Sequence, residues 1–274
     1  MKHLLPGEEL PLCEIVARNY AIASDNRIHS DEVAALYGFA GGLVPGVGLY
    51  TYLTRPVIAA LGRQWPGRGA MTAKFLKPVY DGETVRVCGR VTSLDPVALS
   101  LELFNPAGTL CAAGEARLPV SLPALDPADY PARALPEERL RPTIADLPTG
   151  LTLGSLVQRP DPAEMETSFL HDPGDRLTFD RDAEAICHPA FLPASANEIL
   201  MLNVALGPWI HTASDVQHYS LARGGEEVSL RGKVAESFER RGHEFVVLDL
   251  AMFGADERII ARVRHTAIVR LRGA

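Results

Sequence analysis

The sequence predicts an α+β fold built twice in tandem, each half an antiparallel sheet wrapped round a long central helix. Three observations predict it. A largely apolar helical stretch from Pro45 to about Leu61, charged only at Arg55, precedes a series of short alternating strands. Two segment pairs recur in the same order at offsets of 143 and 148 residues. Between the copies lies a segment, 119–148, that holds seven of the chain's 21 prolines and reads as a semi-extended linker. The expected division is therefore 1–118, a linker at 119–150, and 151–274.

The elements follow in order. Leu12 to Ala17 is a short apolar run, read as a first strand. Tyr20 to His29 is a polar loop or short helix. Ser30-Asp31-Glu32 before Val33-Ala34-Ala35-Leu36 has the form of a helix N-cap with acids in the first turn, and Gly38 is placed to end that helix. In the central helix, Val47, Tyr50, Leu53, Val57 and Ile58 recur at helical spacing, and Pro45 suits its first turn. Pro56 predicts a break near Thr54 or a second short helix, because an interior proline costs ~3 kcal/mol. Strands are expected at Ala70–Leu76, Thr84–Leu94, Ala98–Phe104 and Leu110–Leu118. In the second of these Val85, Val87, Gly89 and Val91 face one way.

The second half repeats the first. Gly224 to Val234 matches Asp81 to Val91, with identical residues at Gly82, Glu83, Val85, Gly89 and Val91. Phe191-Leu192-Pro193-Ala194 echoes Leu43-Val44-Pro45-Gly46. A second central helix is expected from Ser195 to Leu206, with strands at Trp209–Leu221, Val228–Glu236, Phe245–Phe253 and Ile259–Leu271.

Composition narrows the function. The 274 residues carry a net charge of −7, which disfavours nucleic acid as a partner while leaving room for a local basic patch. Cys13, Cys88, Cys111 and Cys187 are scattered and read as buried free thiols of a reducing, cytoplasmic protein rather than metal ligands. The uncharged run 33–54 is cut by five glycines and Pro45, so no membrane span is expected.

The chemistry concentrates between Ser24 and Leu53. A histidine beside an acid or amide can move a proton, and a helix N-terminus with free N–H groups can hold a developing oxyanion. Asn26-Arg27-Ile28-His29, then Gly42-Leu43-Val44-Pro45-Gly46, then Phe75-Leu76-Lys77-Pro78-Val79-Tyr80-Asp81-Gly82-Glu83 resemble the MaoC-like, (R)-specific enoyl-CoA hydratase family. That family reads Asp-x-Asn-Pro-x-His, Val-His-Gly and Phe-x-x-Pro-Val-x-x-Gly-Asp. The resemblance covers roughly residues 10–120 and implies a double hot-dog fold. It also implies hydration of a trans-2-enoyl thioester to the (R)-3-hydroxyacyl form, or the reverse.

The resemblance further implies His29 as the catalytic base, with Asp25 or Ser24 assisting. Asn26 and the Gly46 amide would serve the substrate, and the acyl chain would lie along the helix past Val47 and Tyr50. The pantetheine arm would run between the halves. The ligand would be an acyl-CoA or acyl-carrier thioester, with no metal or redox cofactor, in a pseudo-dimeric monomer or a homodimer. The family's Asp, five residues before its His, is Ser24 here, with Asp25 one place later; its Pro is Arg27, and the His before its helix Gly is Pro45. These departures motivate two alternatives: a non-catalytic acyl-thioester binder or structural protein, and a thioesterase.

In the second half, His188, Asn197 and Glu198 lie near the echoed segment, which lacks an Asn-x-x-His pattern and reads as degenerate. Strand alternation places His211 and Asp215 on one face and His218 on the other, a polar strand face. Arg262, Arg264, Arg270 and Arg272 read as phosphate ligands or, more commonly, as edge-strand charges.

Overall fold

The computed structural model describes residues 4–161, 165 and 186–273. Its first half contains β1 (Cys13–Val16), a 3₁₀ turn (Arg27–His29), α1 (Asp31–Leu36), α2 (Gly46–Leu61) and α3 (Gln64–Arg68). There follow β2 (Ala70–Phe75), β3 (Thr84–Leu94), β4 (Val97–Phe104) and β5 (Leu110–Leu118). The second half contains β6 (Leu156–Gln158), α4 (Phe191–Asn203), β7 (Ile210–His218), β8 (Val228–Arg240), β9 (His243–Phe253) and β10 (Ile259–Arg270).

Local sequence explains several of these elements. Ser30 caps α1 by accepting a hydrogen bond from the Val33 N–H, and Gly38, at φ +82°, follows its C-terminus. In β3 the valines and Gly89 are buried and the alternate residues are exposed. The β4–β5 hairpin closes on Asn105, whose side chain accepts from the Thr109 N–H while its carbonyl accepts from Gly108. The repeated turn has the same build in both halves. Gly82 and Gly225 stand at φ +77° and +75°, where only glycine is unstrained. One residue on, Glu83 and Glu226 each accept a hydrogen bond from the backbone N–H three residues back.

Two expectations about helices are corrected. Helix α2 runs through Pro56 without a break. Tyr50, Leu53, Val57 and Leu61 are almost wholly buried on it, each contributing roughly 1.5–3 kcal/mol, which outweighs the ~3 kcal/mol proline penalty. In the second half, α4 starts at Phe191, one turn before the expected Ser195, so Pro193 lies within its first turn rather than ahead of it.

The strands form one antiparallel sheet rather than two, in the order β1-β3-β4-β5-β2-β7-β10-β9-β8-β6. The halves join where β2 pairs with β7, from Ala70 opposite Gln217 to Lys74 opposite Ala213. Helix α2 packs on strands of the first half and on β7, and α4 packs on β6, β7, β8 and β10. Among the described residues a large hydrophobic cluster runs through both halves, and a smaller one joins Ile28 and Leu43 to Ile268 and Leu271.

Strand β7 carries a β-bulge. Thr266 of β10 opposes Ala213, yet Ala267 opposes His211, leaving Thr212 as the extra residue. The bulge reverses the alternation, so His211 faces inward with Ser214, Val216 and His218, and Asp215 faces out. The expected pairing of His211 with Asp215 on one face is thereby overturned. The reading of the arginines as edge-strand charges is overturned as well, because β10 is an interior strand. Arg262 pairs with Asp249, Arg264 with Glu236 and Arg270 with Glu244, while the Arg272 N–H bonds the His243 ring.

The proline-rich stretch after β5 packs over the second half. Its Tyr130 is buried against Phe253, and its hydroxyl reaches the Asp249 carboxylate that Arg262 grips with two hydrogen bonds.

Candidate active site

The loop before α1 is held by its own polar side chains. Asn26 caps the 3₁₀ turn, its Oδ1 accepting from the Ile28 N–H. The same oxygen accepts from the Trp209 N–H at 3.2 Å, and Nδ2 donates to the Trp209 carbonyl at 3.0 Å. Asn26 therefore ties the loop to the segment that enters β7. Asn19 Nδ2 donates to the His29 carbonyl, and Asp31 accepts from the Gly42 N–H. Gly42 must be glycine, because a Cβ there would stand 2.1 Å from the His29 carbonyl oxygen.

These contacts set the state of His29. Its Nδ1 lies 2.7 Å from the Leu43 carbonyl, which can only accept, so Nδ1 carries the proton. Its Nε2 lone pair points at Asn26 Nδ2, 3.3 Å away. Burial holds the imidazole below its ordinary pKa, opposed in part by the bond to Leu43. The ring is neutral at neutral pH, with Nε2 available as a base.

Gly42 leads directly into α2. Pro45 is the N-cap of this helix, one place before the first-turn position its sequence suggests, and no side chain caps it. The Gly48 and Leu49 N–H groups bond to the Pro45 carbonyl. Those of Gly46 and Val47 have no partner within the helix. Gly46 is closely surrounded: a Cβ on it would meet His211 Nδ1 at 2.9 Å and the Phe75 ring at 3.0 Å.

A cavity of about 220 Å³ opens at this helix end. Asn26, His29, Gly46, Leu49 and Phe75 line it from the first half, and Asn197, Trp209, His211 and Ile268 from the second. Lys77 is the one permanently charged side chain among the described lining residues, and no carboxylate is among them.

Three of the sequence-selected residues, His29, Asn26 and Gly46, thus meet at one cavity. The others do not. Asp25 is exposed, and no hydrogen bond or ion pair joins it to His29 among the described residues. Ser24 donates to the Asn26 carbonyl instead. Val47 and Tyr50 are buried in the core and line no part of the cavity; α2 contributes Pro45, Gly46 and Leu49 instead. Glu198 is exposed on α4, whereas its neighbour Asn197 reaches the cavity with a buried Oδ1 that has no hydrogen-bond partner among the described residues. The sequence reading placed His211 on a polar strand face and gave Trp209 no role, because the bulge that turns His211 inward depends on a register with β10.

The corresponding end of α4 differs. His188 is buried with its pKa lowered to about 3 by burial and by Arg55, and its Nδ1 accepts from the Ala190 N–H at the helix start. The space beside it, lined by His188, Phe191 and His218, amounts to about 10 Å³ among the described residues.

No protein-family model and no curated protein matches the sequence. Solved structures do match by fold. A protein assigned as a MaoC domain dehydratase from Chloroflexus aurantiacus superposes with a TM-score of 0.70 at 13% identity, covering 98% of this chain and 97% of its own. A conserved hypothetical protein from Mycobacterium tuberculosis with a double hotdog fold gives 0.66 at 14%, covering 97% and 96%. A protein assigned as an oleoyl thioesterase from Lactobacillus plantarum gives 0.55 at 10%, covering 96% and 97%. By fold, the chain is a double hot-dog protein, similar over nearly its whole length to MaoC-like dehydratases.

Proposed function

We propose that the protein adds water to a trans-2-enoyl thioester to give the (R)-3-hydroxyacyl thioester, or runs the reverse dehydration, with His29 as its acid–base group. The observation that carries this reading is the pairing of a neutral imidazole, unprotonated at Nε2, with an uncapped helix N-terminus in one cavity. His29 Nε2 takes a proton from water as the oxygen attacks C3. Charge moves to the thioester oxygen, where the Gly46 N–H donates to it. The imidazolium then returns its proton to C2. Asn26 Nδ2–H faces Nε2 and disfavours the protonated ring, which assists that return.

Lys77 at the cavity rim suits a phosphate of coenzyme A or of an acyl-carrier arm. We take the chemistry to need no metal or redox cofactor and place it in the cytoplasm, with assembly as a pseudo-dimeric monomer or a homodimer. Hydrolysis of the thioester is less well supported, since no carboxylate stands among the described lining residues to activate water.

One observation favours a second reading. The exposure of Asp25 leaves His29 without the carboxylate that the resemblance implies, as in a binder that has lost turnover. Absorbance of the conjugated thioester separates the two. Wild type should consume crotonyl-CoA and longer enoyl-CoA, and His29→Ala should bind them without consuming them. Tight binding with a flat trace for wild type at every chain length selects the binder.

A further inference from the structure

His211 is 6% exposed, yet its Nδ1 has no hydrogen-bond partner among the described residues. A buried polar atom left unpaired costs about 1–3 kcal/mol, so an unexplained one marks a place where a partner arrives. This atom faces the N-terminal turn of α2, 2.9 Å from where a Cβ on Gly46 would stand, and His211 lines the same cavity as His29. We infer that His211 is a second hydrogen-bond donor to the carbonyl oxygen of the bound thioester, so that the oxyanion site is made jointly by Gly46 N–H from the first half and His211 Nδ1–H from the second. This inference rests on the thioester reading above and names a further residue of that site.

The surroundings of the ring suit this role. Nε2 lies 2.8 Å from Ser214 Oγ and 3.2 Å from the Ala213 carbonyl, and Ser214 Oγ lies 3.4 Å from Nδ1 of His265. Ser214 and His265 are directly paired across β7 and β10. The chain His265–Ser214–His211 has two hydrogen-bond polarities. In one, His211 Nε2–H donates to Ser214 Oγ and to the Ala213 carbonyl, which can only accept, and this is the polarity that the protein's own groups favour, as at His29. In the other, His265 Nδ1–H donates to Ser214 and the Ser214 hydroxyl donates to His211 Nε2, which puts the His211 proton on Nδ1. An oxyanion beside Nδ1 selects the second polarity against the longer contact to Ala213.

The ring is also held in place. The His265 ring overlaps it at 4.2 Å between centroids, and Phe75 meets it edge-on at 4.8 Å. Burial and the neighbouring His265 keep His211 far below its ordinary pKa, so it acts as a neutral donor. Such a donor transfers no proton. His29 alone takes one from water and returns it to C2, so the balance of the hydration step is unchanged.

The test uses the whole protein with His211→Leu, which removes the donor, and His211→Asn, whose amide places an N–H near the position of Nδ1. Removing one oxyanion donor is expected to lower kcat on the order of 10²-fold with KM little changed, and His211→Asn should recover most of the loss. A parallel measurement does not depend on turnover. In the His29→Ala background, the carbonyl stretch of bound crotonyl-CoA labelled with carbon-13 at C1 should lie below its free value, move back toward it in His211→Leu, and stay low in His211→Asn. Protein that lowers the band but never hydrates the ligand overturns the hydratase reading and leaves the His211 donor standing. An active enzyme whose kcat and band are unmoved by His211→Leu overturns the donor alone. Failure to bind crotonyl-CoA in any form overturns both.

Discussion

At the scale of single residues, the candidate site depends on which nitrogen of His29 carries the proton. The Leu43 carbonyl places it on Nδ1, and Asn26 faces the other nitrogen with an N–H. Asn26→Asp keeps the shape and replaces that N–H with a carboxylate oxygen. An adjacent negative charge favours the imidazolium, so the His29 pKa should rise and the acid limb of any pH–rate profile should move to higher pH. Proton NMR titration of the His29 ring, together with the profile, reads both; an acid limb that stays in place removes His29 as the group being titrated. The variant also gives up the donor to the Trp209 carbonyl, so a loss of stability of about 1–3 kcal/mol should accompany the shift. Asn26, His29 and Gly46 were legible in the sequence because short-range loop chemistry and a glycine at a helix start are local properties. Asp25 was misleading for a local reason too: a shift of one residue in a turn sends a side chain to solvent.

At the scale of elements, Gly46 sets two demands against each other. Alanine is the better helix former by up to about 1 kcal/mol. A Cβ at position 46 would nevertheless press on His211 Nδ1 and the Phe75 ring at 2.9–3.0 Å, and overpacking of this kind costs roughly 1–3 kcal/mol. The clash should win. Gly46→Ala is expected to melt at a lower temperature than wild type and to lose turnover, since the atoms that must give way surround the oxyanion position. A variant that is more stable and fully active would show that the close approach is not needed. The same comparison of local and distant terms explains what the sequence concealed in the elements. Alternation in β3 and the repeated Gly-Glu turn are local, and both stand as read. The course of α2 through Pro56 depends on burial against the sheet, and the inward turn of His211 depends on a bulge matched to a strand some 50 residues away.

At the scale of the whole molecule, the two halves share one sheet and one core, and the join between them is rich in imidazoles. The β2–β7 pairing was invisible in the sequence because neither strand carries a mark of its partner; only the duplication suggested that two similar units would meet. His188, His218 and His265 are buried with pKa values lowered to about 3, and burial and the neighbouring His265 hold His211 well below its ordinary value. The consequence for stability has a definite sign. In the unfolded chain each of these groups takes a proton as pH falls through about 6.5, while in the folded chain it does not until pH is far lower. The unfolded state therefore binds more protons across that interval, and stability falls as pH falls. Each histidine contributes about 1.4 kcal/mol per pH unit, and four together roughly 5 kcal/mol per pH unit. That slope is steep against a total stability of about 5–15 kcal/mol, so unfolding should set in roughly one to three pH units below 6.5. Thermal melts between pH 8 and pH 4.5 should show a nearly constant midpoint above pH 7 and a steep decline below pH 6. Replacing one buried imidazole with a residue that does not titrate, as in His218→Phe beside Trp65, should make the decline shallower by about a quarter. A midpoint that is flat down to pH 5 would mean that these imidazoles accept protons without unfolding the chain, and so that the join between the halves admits water.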